Sequence, residues 1–164
     1  MFINFPVLGL TQGFLPIAGY NYGAKLWSRV KDVINKSILY GIGIATLIYI
    51  GIFCFSTQIS SLFTEDQELI AKTAPAMVIV FIANPLLIVQ MIGSAYFQSI
   101  GKALPALLLS LLKQGIFLIP LILILPRYFD ILGIWMAFPI ADALTALVNY
   151  VFLKRETAAF VKIS

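Results

Sequence analysis

Long apolar runs separated by short charged stretches constrain this chain more than any motif does. Five such runs stand out: Phe2–Tyr22, Ile38–Phe55, Ala74–Phe97, Leu104–Leu125 and Ile131–Leu153. A helix rises 1.5 Å per residue, so about 20 predominantly apolar residues cross a hydrocarbon core about 30 Å thick. Composition agrees. Of the 164 residues, 61% are hydrophobic and 11% charged, where a soluble domain carries about a quarter charged residues. The expected fold is all-α and membrane-embedded, one domain over 1–164 with helices near 2–22, 38–55, 66–98, 104–125 and 131–153. The first run is the least hydrophobic. It lacks the basic start and smooth apolar centre of a secretory signal.

The charged stretches alternate in sign. Lys25, Arg29, Lys31 and Lys36 oppose a single Asp32, whereas Glu65, Asp66 and Glu68 oppose Lys72. Lys102 stands alone in the third connection, Arg127 and Asp130 cancel in the fourth, and the tail holds Lys154, Arg155 and Lys162 against Glu156. The excess of Lys and Arg on one side of a membrane then predicts a multi-pass plasma-membrane protein with its N-terminus outside and its C-terminus cytoplasmic. The net charge of +4 is read as this orientation signal and not as a nucleic-acid surface. Trp27, Tyr128 and Phe129 sit where interfacial aromatics belong. "TEDQ" (Thr64–Gln67) has the form of a capping box with Thr64 at the N-cap. A helix from there to Gln98 is about 50 Å long, so its first turns project beyond the lipid.

Histidine is absent and Cys54 is the only cysteine. No intrachain disulfide and no His/Cys metal site can form. A Ser/His pair is impossible, and one intramembrane Asp makes no aspartyl dyad, so the chain is not expected to be an enzyme or to hold a cofactor. Cys54 reads as a small packing residue.

Residues that do not suit a plain lipid anchor carry the functional signal. Pro16, Pro85, Pro120 and Pro139 fall inside apolar runs and release backbone carbonyls that need other partners. Gly9, Gly13, Gly19 and Gly23 allow close helix approach. Polar side chains at Thr11, Gln12, Tyr20, Asn21, Asn84, Gln90, Lys113, Gln114 and Asp142 are costly in hydrocarbon and belong in a bundle interior or a cavity. Asp142 and Lys113 lie near the centres of their runs. Asp142 is a candidate to bind protons, Na⁺ or a cationic substrate, or else a structural group bonded to a neighbouring helix. Lys113 pairs either with it or with freed carbonyls. Asn84 and Gln90 are about 120° apart around a helix and need not share one site. The cavity candidates are therefore Gln12, Tyr20, Asn21, Asn84, Gln90, Lys113 and Asp142.

"QGFLPIAGYNYGAK" (Gln12–Lys25) resembles a signature in the C-terminal lobe of multidrug and toxic compound extrusion (MATE) transporters. "GSAYFQSIGKALPALLLSL" (Gly93–Leu111) and "GIWMAFPIADAL" (Gly133–Leu144) resemble later stretches of that family, in the same order. The resemblance implies helices eight to twelve of a twelve-helix, two-lobed antiporter that expels cationic or aromatic drugs in exchange for Na⁺ or H⁺. It implies a partial C-terminal lobe, not competent alone, whose partners are the bilayer and a missing N-terminal lobe or a second copy. In one branch of the family acidic residues on helices seven and ten bind the cation. The corresponding stretch here, Phe81–Gln98, has no acid, and Asn84 stands near the expected place. The alternatives are a small oligomeric channel or assembly protein, an inert remnant, or a flippase for lipid-linked oligosaccharides.

Overall fold

The computed structural model describes residues 5–160, every element of which is helical. The expected first helix therefore begins, as far as it is described, at Phe5; Phe2–Asn4, Met1 and the tail's Lys162 lie outside the described residues. The elements are α1 (Phe5–Gly23), α2 (Trp27–Ser61), α3 (Gln67–Phe81), α4 (Asn84–Ser99), α5 (Ala103–Leu111), a π-helical segment (Leu112–Leu118), α6 (Ile119–Ile124) and α7 (Pro126–Ala159).

Helix α4 is the central post. It packs against α1, α2, α5 and α7, and Ile88, Ile92 and Tyr96 are fully enclosed. Two glycines make this possible. A methyl group on Gly41 of α2 would lie 2.6 Å from Ile88 Cγ2, and one on Gly93 of α4 would lie 2.5 Å from Asn149 Oδ1 of α7. Large side chains such as Leu39, Leu47, Leu107, Leu123 and Leu147 point outward instead. An apolar exterior around a sparse interior is what lipid permits and water does not.

Two turns gather one end of the bundle. After α1, the Lys25 N–H donates to Tyr22 O and the Leu26 N–H to Asn21 O; after α4, the Gly101 N–H donates to Gln98 O and the Lys102 N–H to Phe97 O. Both are Schellman closures with a left-handed residue, Lys25 (φ 56°) and Gly101 (φ 76°). The end of α7 joins them. Trp27 stacks on Phe160 with centroids 4.9 Å apart, and Lys102 pairs with Glu156. All the basic connections thus meet at one end.

Several local expectations need correction. The basic stretch after α1 is not a loop: α2 starts at Trp27, because Val30, Ile34, Gly41 and Ala45 continue one buried helical face. Trp27 is consequently part of an aromatic cluster with Tyr22 and Phe160 and not a free interfacial anchor. Tyr128 and Phe129 are exposed. So is Cys54, which is no packing residue. The N-cap of α3 is Asp66, not Thr64: Asp66 Oδ1 accepts from the N–H groups of Glu68 (2.9 Å) and Leu69 (3.3 Å). The long helix expected over 66–98 is two helices bent by 44°. Pro85 has no N–H to donate to the preceding turn, and its ring crowds that turn, so the ladder stops and α4 starts anew with Pro85 in its first turn. Residues 104–125 do form one run, but with the π-helical segment inside it. Arg127 and Asp130 lie within α7, where Asp130 (φ 48°, ψ −134°) breaks the helix just before the expected start at 131.

Among the described residues three helices are long and apolar enough to cross a membrane, Trp27–Ser61, Ala103–Ile124 and Pro126–Ala159, and the bent pair α3–α4, taken as one span, makes a fourth. Of the first expected span the described part, α1, does not by itself pass that test. Helix α1 has 19 residues, but its glycines, Thr11, Gln12 and Asn21 dilute its apolar content.

Candidate functional site

Three elements converge on one carboxylate. Asp142 lies on α7 beyond the Asp130 break and is 4% exposed. Lys113 comes from the π-helical segment and places its ammonium 2.6 Å from Asp142 Oδ1. Gln90 on α4 donates through Nε2 to the Asp142 carbonyl (2.9 Å) and to Oδ1 (3.2 Å). The backbone geometry explains the convergence. Pro120 has no N–H for the ladder, and the Ile119 N–H reaches back to Gln114 O, the wide-turn spacing of a π-helix. Such insertions shift every side chain around the axis relative to a regular helix and are frequent at functional sites. Here the shifted residue is Lys113.

The ion pair stands between two cavities. One, of about 230 Å³, is lined by Val80, Phe81, Asn84, Leu87, Lys113, Phe138 and Asp142. Asn84 is 2% exposed, and neither its Oδ1 nor its Nδ2 has a hydrogen-bond partner. The second cavity, of about 290 Å³, is richer in polar groups: Thr11, Gln90, Ser94, Gln98, Ser110, Lys113 and Gln114 line it. Lys113 borders both. An ammonium held by a single carboxylate and bordering two cavities can be displaced by another cation. A pair sealed inside an apolar core offers no such route.

Four of the expected site residues thus come together: Asn84, Gln90, Lys113 and Asp142. Asn84 and Gln90 both face the Asp142 region, the first through a cavity and the second through hydrogen bonds. The other three do not join them. Gln12 and Tyr20 are exposed. Asn21 is buried, but its Nδ2 donates to Ile17 O of its own helix at 2.8 Å. Sequence reasoning overlooked Ser94, Gln98 and Ser110. The signal for two of them was present, because Gln90, Ser94 and Gln98 recur every four residues and so line one face of α4.

Comparison with known proteins agrees with this architecture. A sequence model of the MatE family matches residues 1–124. The multidrug export protein MepA of Staphylococcus aureus (strain MSSA476) is 28% identical over 149 residues, which cover 88% of this chain and 32% of MepA. "Probable multidrug resistance protein YoeA" of Bacillus subtilis (strain 168) is 28% identical over 151 residues, covering 91% and 33% respectively. Among solved structures, the MATE multidrug transporter DinF-BH is 41% identical, with a TM-score of 0.79 over 98% of this chain and 36% of that one. An inward-facing multidrug resistance MATE family transporter shares the fold at a TM-score of 0.95 and 22% identity, over 100% of this chain and 38% of that one. The chain therefore spans about a third of the length of the curated relatives it matches. With a family model matched over residues 1–124, the chain belongs to the MatE family, whose members are transporters and not enzymes.

Proposed function

We propose that the chain forms part of the C-terminal lobe of a secondary multidrug exporter, which moves cationic or aromatic drugs outward in exchange for Na⁺ or H⁺. The observation that carries this reading is the Lys113–Asp142 pair between two cavities, one of them rich in polar groups. Binding of a proton, a Na⁺ ion or a cationic drug at Asp142 releases Lys113, and the freed ammonium then repels a second cation from the same cavity. That mutual exclusion is the elementary requirement of exchange. Alternating access rocks one repeat against another around a midplane site, so this lobe acts with a companion that supplies the rest of the transporter. The basic end of the bundle faces the cytoplasm in this reading, α1 crosses the membrane alongside α2, and the N-terminus lies outside.

Expression in an efflux-deficient bacterium tests the proposal. The chain alone should export no cationic dye, and co-expression with the N-terminal lobe and first C-lobe helix of a close relative should restore export. Robust export by the lone chain would replace the companion lobe with self-association. No export from the companion-supplied assembly, with both parts present in the membrane, would overturn the transport reading.

A further inference from the structure

At the basic end, α2 and α7 leave a cleft of about 310 Å³ between them. Its polar wall is formed by Lys31 and Asn35 of α2 and by Lys154 and Thr157 of α7, with Tyr150 below. Neither lysine has an acidic partner: among the described residues the ion pairs are Lys72–Glu68, Lys102–Glu156 and Lys113–Asp142. The acid nearest Lys154 in sequence, Glu156, is thus taken by Lys102. The Lys154 ammonium rests 5.9 Å above the Tyr150 ring, a cation–π distance that steadies it over the cleft.

Tyr150 also closes a second depression, of about 280 Å³ and almost wholly apolar, which runs between α4 and α7 past Leu86, Ala143 and Leu147. Ala143, Leu147, Tyr150 and Lys154 follow one another at spacings of four, three and four, so they share one face of α7. From Ala143 to Lys154 is about 16 Å along the helix, close to half of a hydrocarbon core about 30 Å thick. Two ammonium groups without an ion-pair partner therefore sit at the head of an apolar groove one leaflet deep.

We infer that this groove binds an anionic phospholipid, with Lys31 and Lys154 on the headgroup phosphate and an acyl chain lying along α7 toward Ala143. A soluble phosphate matches only the head of the site. An apolar neighbouring helix of this or another chain matches only the groove and leaves both cations uncompensated. The lipid matches both.

The chain, purified in zwitterionic detergent, is titrated with phosphatidylglycerol, with phosphatidylcholine and with inorganic phosphate, and bound lipid is counted by native mass spectrometry. Phosphatidylglycerol should bind preferentially. The Lys31→Gln/Lys154→Gln variant should bind it about thirtyfold more weakly, since a lysine near an anionic surface contributes a factor of about five. Lys154→Arg should retain binding, and Lys36→Gln, outside the cleft wall, should be without effect. Circular dichroism confirms that each variant is as helical as the parent. Equal affinity for the two lipids, equal loss with Lys36→Gln, competition by phosphate at the lipid's own affinity, or a stable dimer that excludes lipid would each overturn the assignment.

Discussion

Helix α1 and the junction of α4, the π-helical segment and α7 are both polar by the standard of an apolar bundle, but they use that polarity differently. In α1, Thr11 Oγ1 donates to Val7 O at 2.9 Å and Asn21 Nδ2 to Ile17 O at 2.8 Å. Each polar group is satisfied one turn back on its own helix. Thr145 behaves alike, donating to Ala141 O; Ser60 donates to Ser56 O and also reaches Met77 Sδ at 3.6 Å, and Asn149 Nδ2 donates to Thr145 O while its buried Oδ1 has no partner. At the junction, Gln90 and Lys113 reach Asp142 from other elements, Gln90 across a chain separation of 52 residues. A polar residue in a membrane helix is therefore a weak indicator of function. What distinguishes a site is a polar group whose partner lies on another element and borders a cavity.

This contrast can be broken by substitution, and the largest effect is expected at Lys113. Lys113→Met leaves a buried carboxylate without its cation, which costs about 3 to 5 kcal/mol. The double variant Lys113→Met/Asp142→Leu removes both charges and should recover most of that loss. Thermal unfolding in detergent reads both. A single variant as stable as the parent would mean the pair does not form.

An intermediate effect sharpens the comparison within α1 itself. A methyl group on Gly19 would stand 2.8 Å from the Ser99 backbone oxygen, whereas one on Gly13 would meet nothing within 4 Å. Gly19→Ala should destabilise by about 1 to 3 kcal/mol, while Gly13→Ala should stabilise by up to about 1 kcal/mol through helix propensity. Equal shifts in unfolding temperature would remove the α1–α4 contact. Of the four glycines expected to permit close approach in α1, Gly19 is the one with a near neighbour; Gly9, Gly13 and Gly23 face open space.

The smallest effect belongs to the self-satisfied groups. Thr11→Val keeps the shape and removes a donor whose acceptor, Val7 O, already belongs to the helix. Its cost should stay within about 1 kcal/mol, and the same unfolding assay decides it.

These differences mark what was legible in the sequence. The membrane class, the helical fold and the gathering of basic residues at one end follow from apolar length and charge order, which are local quantities. Asp142 and Lys113 were visible because ionisable groups near the middle of an apolar run have few acceptable surroundings. The rest depended on geometry that residue spacing does not contain. The π-helical insertion turns Lys113 toward α7, and Pro85 breaks a run that otherwise reads as one helix. Asp130 adopts a positive φ without being glycine, and Phe55 (φ −121°, ψ 20°) interrupts α2 with no proline nearby. Gln12, Tyr20 and Asn21 have the same chemistry as site residues, but the first two are exposed and the third bonds to its own helix.

The central claim is that the carboxylate at the junction takes part in cation exchange and is more than a fastening between helices. Asp142→Asn preserves its shape and its amide-compatible contacts while removing the charge. It should be placed in the assembled two-lobe transporter, and cationic-dye export measured per membrane-inserted molecule. Export should fall by about tenfold, the size of effect expected when a coupling interaction of about 1 to 3 kcal/mol is lost, while Asn21→Ala under the same conditions exports normally. Wild-type export by Asp142→Asn at wild-type abundance would contradict the account and leave the pair a purely structural bond.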